Sequence, residues 1–117
     1  MITDEMAYKI LRMLDADPHI SQRVIAKQLG ISLGKVNYCL KGLIDKGILK
    51  ARNFYNSDHK AAYAYFITPA GIEEKAKITY RFLKRRVAEY AQLQQEIEEL
   101  RAEAKRLQQN NTTTISE

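Results

Sequence analysis

Residues 20–49 have the sequence ISQRVIAKQLGISLGKVNYCLKGLIDKGIL, and this stretch decides the fold. Ser21 and Ser32 each stand where a side-chain oxygen caps the start of a helix, and an apolar pattern of helical period follows each of them. Gly30 supplies the left-handed residue that ends the first of these helices. Because only Gly30 and Ile31 separate the two helices, the sequence predicts a helix-turn-helix.

Further elements are predicted on both sides of this pair. Thr3 begins an apolar pattern of helical period that ends near Pro18, which predicts a helix ahead of the pair. The segments 48–54 and 62–68 are rich in β-branched and aromatic residues, and they flank a polar stretch, 56–60, with the composition of a hairpin turn. Three helices followed by a two-stranded wing predict a mainly α, α+β fold, the winged helix-turn-helix.

A long helix is predicted after the wing. Thr68 caps it, Pro69 fits its first turn, and neither Pro nor Gly follows Gly71. About 38 residues that rise 1.5 Å each give a helix of about 57 Å. The sequence therefore predicts a winged module over 1–71 and a dimerisation helix over 72–109. The remaining residues are polar and have no face to bury, so we expect a frayed or disordered tail over 110–117.

The apolar stripe of the long helix changes phase along its length. Ala76, Tyr80 and Leu83 begin the first pattern, which we expect to pack on the winged module. Two successive steps of three residues around Tyr90 then rotate the stripe. The second pattern is typical of a coiled coil and predicts a homodimer. The predicted dimer contacts are Val87, Tyr90, Leu93, Ile97, Leu100, Ala104 and Leu107.

The charges beside the stripe favour a parallel coiled coil. In a parallel pair, Glu96 faces the partner's Arg101, whereas an antiparallel pair opposes two rows of glutamates. Such exposed pairs are each worth less than about 1 kcal/mol, so they choose the orientation rather than drive association. The alternative is a single amphipathic helix that docks on its own module.

The outward face of the third helix, predicted over 33–46, has the composition of a recognition helix. The helical pattern places outward Gly34, Lys35, Tyr38, Lys41, Gly42 and Asp45, with Asn37 and Cys39 on the flanks. Gly34 allows a close backbone approach, while Lys35 and Asn37 are the predicted readers of base edges in the major groove. Lys41 is expected to contact the flanking DNA backbone. The alternative is an ordinary solvated face, since Lys and Asn are common on exposed helices.

Contacts with the DNA backbone are also expected at helix starts and in the wing. At helix starts, free N–H groups bind anions, and the candidate residues there are Ser21, Gln22 and Ser32. The wing, 55–62, is expected to reach the adjacent backbone or minor groove. Its candidate residues, with the neighbouring strand, are Arg52, His59 and Lys60. An exposed hairpin tip without a binding role is the alternative.

Charge favours a polyanionic partner. The net charge is +5 and the pI is about 9.4. Residues 1–69 hold 10 Lys and Arg against 6 Asp and Glu, which leaves most of the excess in the winged module. Lys and Arg gain affinity for nucleic acid by releasing counterions from its phosphates. Double-stranded DNA is therefore the predicted partner.

Several other functional classes are disfavoured. A single cysteine, Cys39, is incompatible with an internal disulfide, and we expect it to have a structural rather than a redox role. His19 and His59 lack companions at ligand spacing, so no metal site is predicted. No catalytic motif and no cofactor motif occurs, so we do not expect an enzyme. Without a signal peptide or a long apolar run, we expect a soluble, cytoplasmic protein.

The sequence resembles the MarR-type winged-helix regulators, and in particular a short branch associated with exopolysaccharide gene clusters. The resemblance rests on the segments 20–26, 29–32, 35–38, 43–49 and 68–71. It implies sequence-specific operator binding, usually as a homodimer, with Asn37 and Tyr38 at base-reading positions. It also places Lys60 where relatives often have a wing arginine, and lysine there gives a point charge without the planar fork. The chain lacks the extra terminal helices that build the effector pocket of larger relatives, so the sequence predicts no particular effector.

Two other functions fit parts of the pattern. A winged-helix adaptor would use the third helix and the coiled coil to hold protein partners, since winged helices serve both purposes. Binding of single-stranded nucleic acid would use the strand aromatics Tyr55, Tyr63, Tyr65 and Phe66. The second is weaker, because strand aromatics usually form core.

Overall fold

The computed structural model describes residues 2–55 and 61–116, with side chains from 2–53 and 63–111. The elements are α1 (Asp4–Ala16), α2 (Gln22–Leu29), α3 (Leu33–Asp45), β1 (Leu49–Tyr55), β2 (Ala61–Ile67) and α4 (Pro69–Ser116). Four helices and a two-stranded antiparallel sheet therefore follow one another in the predicted order. The predicted fold class, a mainly α winged helix with a long last helix, is confirmed.

The helix starts are formed by the predicted capping residues. The hydroxyl oxygens of Thr3, Ser21 and Ser32 each accept a hydrogen bond from the backbone N–H three residues later, at 3.1–3.2 Å. Each satisfies a donor that the helix itself leaves without a partner. Gly30 ends α2 with φ of 68°, in the left-handed region, and thereby allows the tight turn into α3.

The core of the module lies between the three short helices and the sheet. Its fully buried side chains, by decreasing volume, include Ile10, Leu11, Leu14, Ile25, Leu40, Leu43, Val36 and Cys39. Cys39 was predicted at the flank of α3, and this is wrong, because its side chain is completely buried. Position 39 lies three residues after Val36 and four before Leu43, so the three share one helix face. Ile44, which the apolar pattern of the third helix also places inward with Leu43, is only partly buried.

A backbone hydrogen bond attaches the wing to the helices. Its strands pair from Leu49 opposite Ile67 to Tyr55 opposite Ala61, within one residue of the predicted bounds. At the outer edge of β2, the backbone N–H of Tyr65 donates to the carbonyl oxygen of Pro18, at 3.0 Å, in the connection between α1 and α2. The strands are therefore held on the helical core, while the turn over 56–60 lies outside the described residues.

The junction between the wing and α4 is closely packed. The hydroxyl of Thr68 donates to the carbonyl oxygen of Gly47 and accepts a hydrogen bond from the N–H of Gly71, at 2.9 Å. Gly71 is buried against the backbone of Ile48, where a Cβ atom would collide with the carbonyl oxygen. A residue without a side chain is therefore required at this position.

The first part of α4 docks on the module through a different face from the one predicted. Ala76, Tyr80 and Leu83 are exposed, so the prediction that they pack on the module is wrong. The docking residues instead follow Gly71 at helical spacing: Lys75 forms an ion pair with Asp15 at 3.0 Å, Ile78 is buried, and Phe82 packs on Tyr8 with ring centroids 5.1 Å apart. Arg81 adds a two-pronged ion pair with Asp4.

The chain forms two compact units, Met1–Phe82 and Leu83–Glu117. The first turns of α4 therefore belong to the winged module, because Ile78 and Phe82 pack there. The helix continues to Ser116, although the sequence predicts a frayed or disordered tail over 110–117. Its continuation is consistent with the absence of any helix-breaking Pro or Gly after Gly71. None of the described helices combines the length and the apolar character needed to cross a membrane.

Candidate nucleic-acid interface

The outer face of α3 is exposed, as the helical pattern predicts. Val36, Cys39, Leu40 and Leu43 point into the core and are buried. On the opposite side Asp45 is exposed, and so are the five residues Gly34, Lys35, Asn37, Tyr38 and Lys41. We call these five residues the α3 face. It presents two cations, one amide and one phenol to solvent.

The two glycines of α3 have no role in packing. A Cβ atom built on Gly34 or on Gly42 meets nothing within 4 Å. Glycine costs a helix interior about 1 kcal/mol relative to alanine, and the fold gains no contact in return. At Gly34, on the α3 face, the missing side chain leaves the backbone accessible to a large ligand.

Lys35 and Tyr38 form a local pair on the α3 face. The Nζ atom of Lys35 lies 5.6 Å from the centroid of the Tyr38 ring, a cation–π distance. Tyr38 supports the lysine and is itself 54% exposed to solvent. A pair at this spacing restricts the lysine side chain, which lowers the entropy cost of a directed contact.

The charge distribution singles out α2 and α3. The first turn of α1 contains Asp4 and Glu5, the usual stabilisers of a helix start. The first turns of α2 and α3, both fully described, contain no acidic residue. Residues 21–47 hold five Lys and Arg against one Asp. These helix starts thus keep their positive potential, which favours a polyanion over other partners.

The residues predicted to contact phosphates at the helix starts also form hydrogen bonds within the fold. The oxygens of Ser21 and Ser32 accept the capping hydrogen bonds, which leaves each O–H group able to donate. The amide Nε2 of Gln22 donates to the hydroxyl of Tyr65 at 3.0 Å and so joins α2 to β2. This link spans 43 residues of sequence and was not predicted. A phosphate contact by the Gln22 side chain stays a prediction.

The wing places one of its three candidate residues on a cationic surface. Arg52 is exposed, and its guanidinium lies 5.9 Å from the centroid of the Phe66 ring. Lys50 is the cross-strand partner of Phe66 and is also exposed. This side of the hairpin therefore adds positive charge next to the helices. His59 and Lys60, the other two candidates, lie outside the described residues.

Leu33 was missed by the sequence analysis. It is the first residue of α3, and 42% of its surface is exposed. Leu33 lies between the capping residue Ser32 and Gly34. An apolar residue at that place is typical of a helix start and does not by itself indicate a binding role. Its position four residues before Asn37 could have indicated that the two side chains share one side of α3.

The thiol of Cys39 is not poised for chemistry. Burial raises its pKa, and the charge of Lys35 offsets only part of this effect. A neutral, fully buried thiol is a poor nucleophile and a poor metal ligand. This environment agrees with the predicted structural role.

The second unit presents an apolar stripe along α4. Tyr90, Leu93, Ile97, Leu100 and Leu107 are each at least 38% exposed. Beside the stripe, Gln94 Nε2 donates to the hydroxyl of Tyr90 at 3.1 Å. A helix with a long exposed apolar stripe and charged flanks has the composition of one strand of a coiled coil.

A protein-family comparison matches part of the first module. Residues 3–50 match the family model described as winged helix-turn-helix DNA-binding. This match covers α1, α2, α3 and the beginning of β1. The match agrees with the winged helix-turn-helix fold of the module. Comparison with curated protein sequences gives no match.

One solved structure shares the fold, and a second is similar at a lower score. The chain is similar to the PcaV transcriptional regulator from Streptomyces coelicolor in complex with its natural ligand, with 18% identity and a TM-score of 0.53. The match covers 67% of this chain and 54% of that one, so the chain spans about half the length of PcaV. A protein described as a possible transcriptional regulator from Methanosarcina mazei Go1 matches with 19% identity and a TM-score of 0.46, over 79% and 78% of the two chains.

Proposed function

We propose that this protein is a sequence-specific regulator of transcription that binds double-stranded DNA as a homodimer. The observation that carries the proposal is the exposed α3 face on a winged helix-turn-helix module. A recognition helix enters the major groove with its outer side chains against base edges, while phosphate contacts fix its position. The α3 face has the side chains for both tasks.

Each residue of the α3 face has a proposed role. Asn37 forms a bidentate hydrogen bond with adenine, and Lys35 donates to an acceptor on a base edge, its stem held by Tyr38. Gly34 lets the helix backbone approach the groove. Lys41 contacts a phosphate at the side of the groove.

The wing extends the contact beyond the major groove. Arg52 adds charge from β1, and the turn with His59 and Lys60 reaches the adjacent backbone or minor groove. Ser21, Gln22 and Ser32 lie where helix starts meet phosphates, with their backbone N–H groups as the donors. These contacts supply affinity and register rather than sequence specificity.

The second unit supplies the homodimer contacts. Its exposed stripe supports a parallel coiled coil between two copies, with the seven contacts from Val87 to Leu107 predicted from the sequence. Two linked modules read two half-sites, so a palindromic operator follows from the two-fold symmetry. Membership of the MarR-type family, and of its exopolysaccharide-associated branch, rests on the sequence resemblance alone.

A salt titration of DNA binding tests the proposal. On a duplex selected from random sequences, the double variant Lys35→Ala/Asn37→Ala is expected to lose specific affinity by about 1–3 kcal/mol per base contact. Lys41→Ala is expected to weaken binding to all sequences and to reduce the salt slope by about one ion. Lys105→Ala, which removes the same charge from the second unit, is the matched control and should bind as the parent does.

The rival function is a protein-interaction adaptor. It is favoured if the Lys35→Ala/Asn37→Ala variant and the Lys41→Ala variant both bind DNA with the affinity and salt slope of the parent. In that outcome the α3 face has no role in reading DNA, and the proposal fails.

A further inference from the structure

We propose that Leu33 is a specificity-determining residue whose side chain contacts the C5 methyl group of a thymine. This inference rests on the proposed function, because it requires α3 to lie in the major groove. It names part of the operator, an A·T pair next to the base that Asn37 reads. Leu33 is exposed, lies in an ordered helix turn and has Asn37 as its neighbour on the helix.

The exposure of Leu33 is not explained by packing. Ile31 and Ile44, which lie on either side of it in sequence, are partly buried and pack against the core. Leu33 is 42% exposed and lies outside that cluster. A polar residue would fit the first position of a helix equally well, and acidic residues would stabilise it. The fold leaves over two fifths of this residue uncovered, where a ligand can contact it.

The position of Leu33 is fixed by the helix cap. The Oγ atom of Ser32 accepts the N–H of Lys35 at 3.1 Å, and the carbonyl oxygen of Ser32 accepts the N–H of Val36 at 3.1 Å. These two hydrogen bonds close the first turn around Leu33. The leucine is thus held on an ordered turn, at the end of a recognition helix that approaches base edges most closely.

The neighbour of Leu33 on the helix is Asn37. Side chains four residues apart lie one above the other on the same side of a helix, so both reach the same part of the groove. Asparagine is matched to the N6 and N7 atoms of adenine, and an apolar side chain is matched to the thymine methyl group. Together they form a reader for A·T pairs, with one polar and one apolar contact.

Replacing thymine by uracil tests this contact directly, because it removes only the C5 methyl group. When uracil replaces the contacted thymine in a selected duplex, the full parent chain is expected to bind about fourfold more weakly. This is the effect of exposing one CH2-sized group. Leu33→Ala should bind the thymine duplex at least as weakly as the parent binds the uracil duplex. It should also show no further loss on uracil substitution.

Two controls separate the contact from a folding defect. Leu33→Met keeps an apolar side chain of similar size and should remain sensitive to the same thymine. Asn37→Ala removes the proposed adenine contact and should bind more weakly, yet it should keep the response to uracil. The melting temperature of each variant shows whether the module is intact.

Three outcomes overturn the inference in distinguishable ways. If no thymine responds to uracil substitution, or if Leu33→Ala responds as the parent does, Leu33 does not read a methyl group. The proposed function still stands in both cases, provided that Lys35→Ala/Asn37→Ala weakens binding. If the parent selects no duplex at all, the proposed function and the inference fail together.

Discussion

Gly71 and Gly34 show how the role of one residue type depends on its surroundings. At Gly71, a Cβ atom would collide with the backbone of Ile48, so the fold itself requires glycine. At Gly34 there is open space around the position of a Cβ atom. A glycine on the α3 face that packing does not require is consistent with the proposed close approach of DNA.

Alanine substitutions at these two glycines should therefore have opposite effects. Gly71→Ala is expected to lower the free energy of unfolding by about 1–3 kcal/mol, the usual cost of overpacking. Gly34→Ala should raise it by less than about 1 kcal/mol, because Gly34 lies in the first turn of α3 rather than in its interior, and yet weaken DNA binding. Urea unfolding at one fixed protein concentration, with a binding titration, measures both. Equal stability of Gly71→Ala and the parent would contradict the packing at the wing junction.

Cys39 makes stability depend on pH in the alkaline range. Burial raises the pKa of its thiol in the folded state, so the folded protein favours the neutral form. This contribution is complete below the ordinary thiol pKa of about 8.5 and is lost as the pH rises through the folded pKa. Between pH 7 and 10, the free energy of unfolding should thus fall more steeply for the parent than for Cys39→Ala. Parallel curves would show that the thiol titrates alike in both states.

Among the elements, the hydrogen bond from Gln22 to Tyr65 connects the helix-turn-helix with the wing. The Tyr65→Phe variant is expected to lower the free energy of unfolding by about 0.5–1.5 kcal/mol, the net value of one hydrogen bond. Because Gln22→Ala removes the same bond, the double variant should lose less than the sum of the two single losses. Strict additivity in this cycle would mean that the bond contributes no coupling between the two elements.

The elements themselves were largely predictable from sequence, because their signals are local. Ser21, Gly30 and Ser32 mark helix ends through bonds within a few residues. The contact between Gln22 and Tyr65 has no local signature, since it joins residues that only the folded chain brings together. Leu33 was missed for a related reason, because its exposure depends on what the rest of the module leaves uncovered.

The docking face of α4 was mispredicted because apolar periodicity was the only guide. The most apolar stripe begins with Ala76 and Tyr80, which remain exposed. The face that packs on α1 mixes Ile78 and Phe82 with Lys75 and Arg81, whose ion pairs with aspartates complete the contact. Hydrophobicity alone does not show which face of such a helix packs on the module, because charged residues also pack there when they form ion pairs.

For the whole molecule, the exposed stripe of the second unit predicts self-association. Leu93→Asp combined with Ile97→Asp places charges in the seam of the coiled coil and should convert the homodimer to a monomer. Gln95→Asp, on the outer side of the same helix, is the matched control and should leave the dimer intact. Sedimentation equilibrium measures both masses. A parent that is monomeric at micromolar concentration would refute the dimer.

Disulfide cross-linking can measure whether the two copies of α4 in the proposed coiled coil are parallel. In a Cys39→Ala chain, Ala104→Cys brings two thiols together only if the helices are parallel, because an antiparallel pair separates the two copies of this position. We expect a disulfide-linked dimer under mild oxidation. A dimer that does not cross-link at position 104 would contradict the parallel arrangement.

Selection of bound sequences from random duplex DNA tests most directly whether α3 reads DNA. The full-length parent should enrich a palindrome whose half-sites lie about one helical turn, roughly 34 Å, apart. The Lys35→Ala/Asn37→Ala variant should lose this enrichment while it retains weak, salt-sensitive binding to any duplex. Enrichment of no sequence by the parent, or of the same sequence by both proteins, would contradict the account.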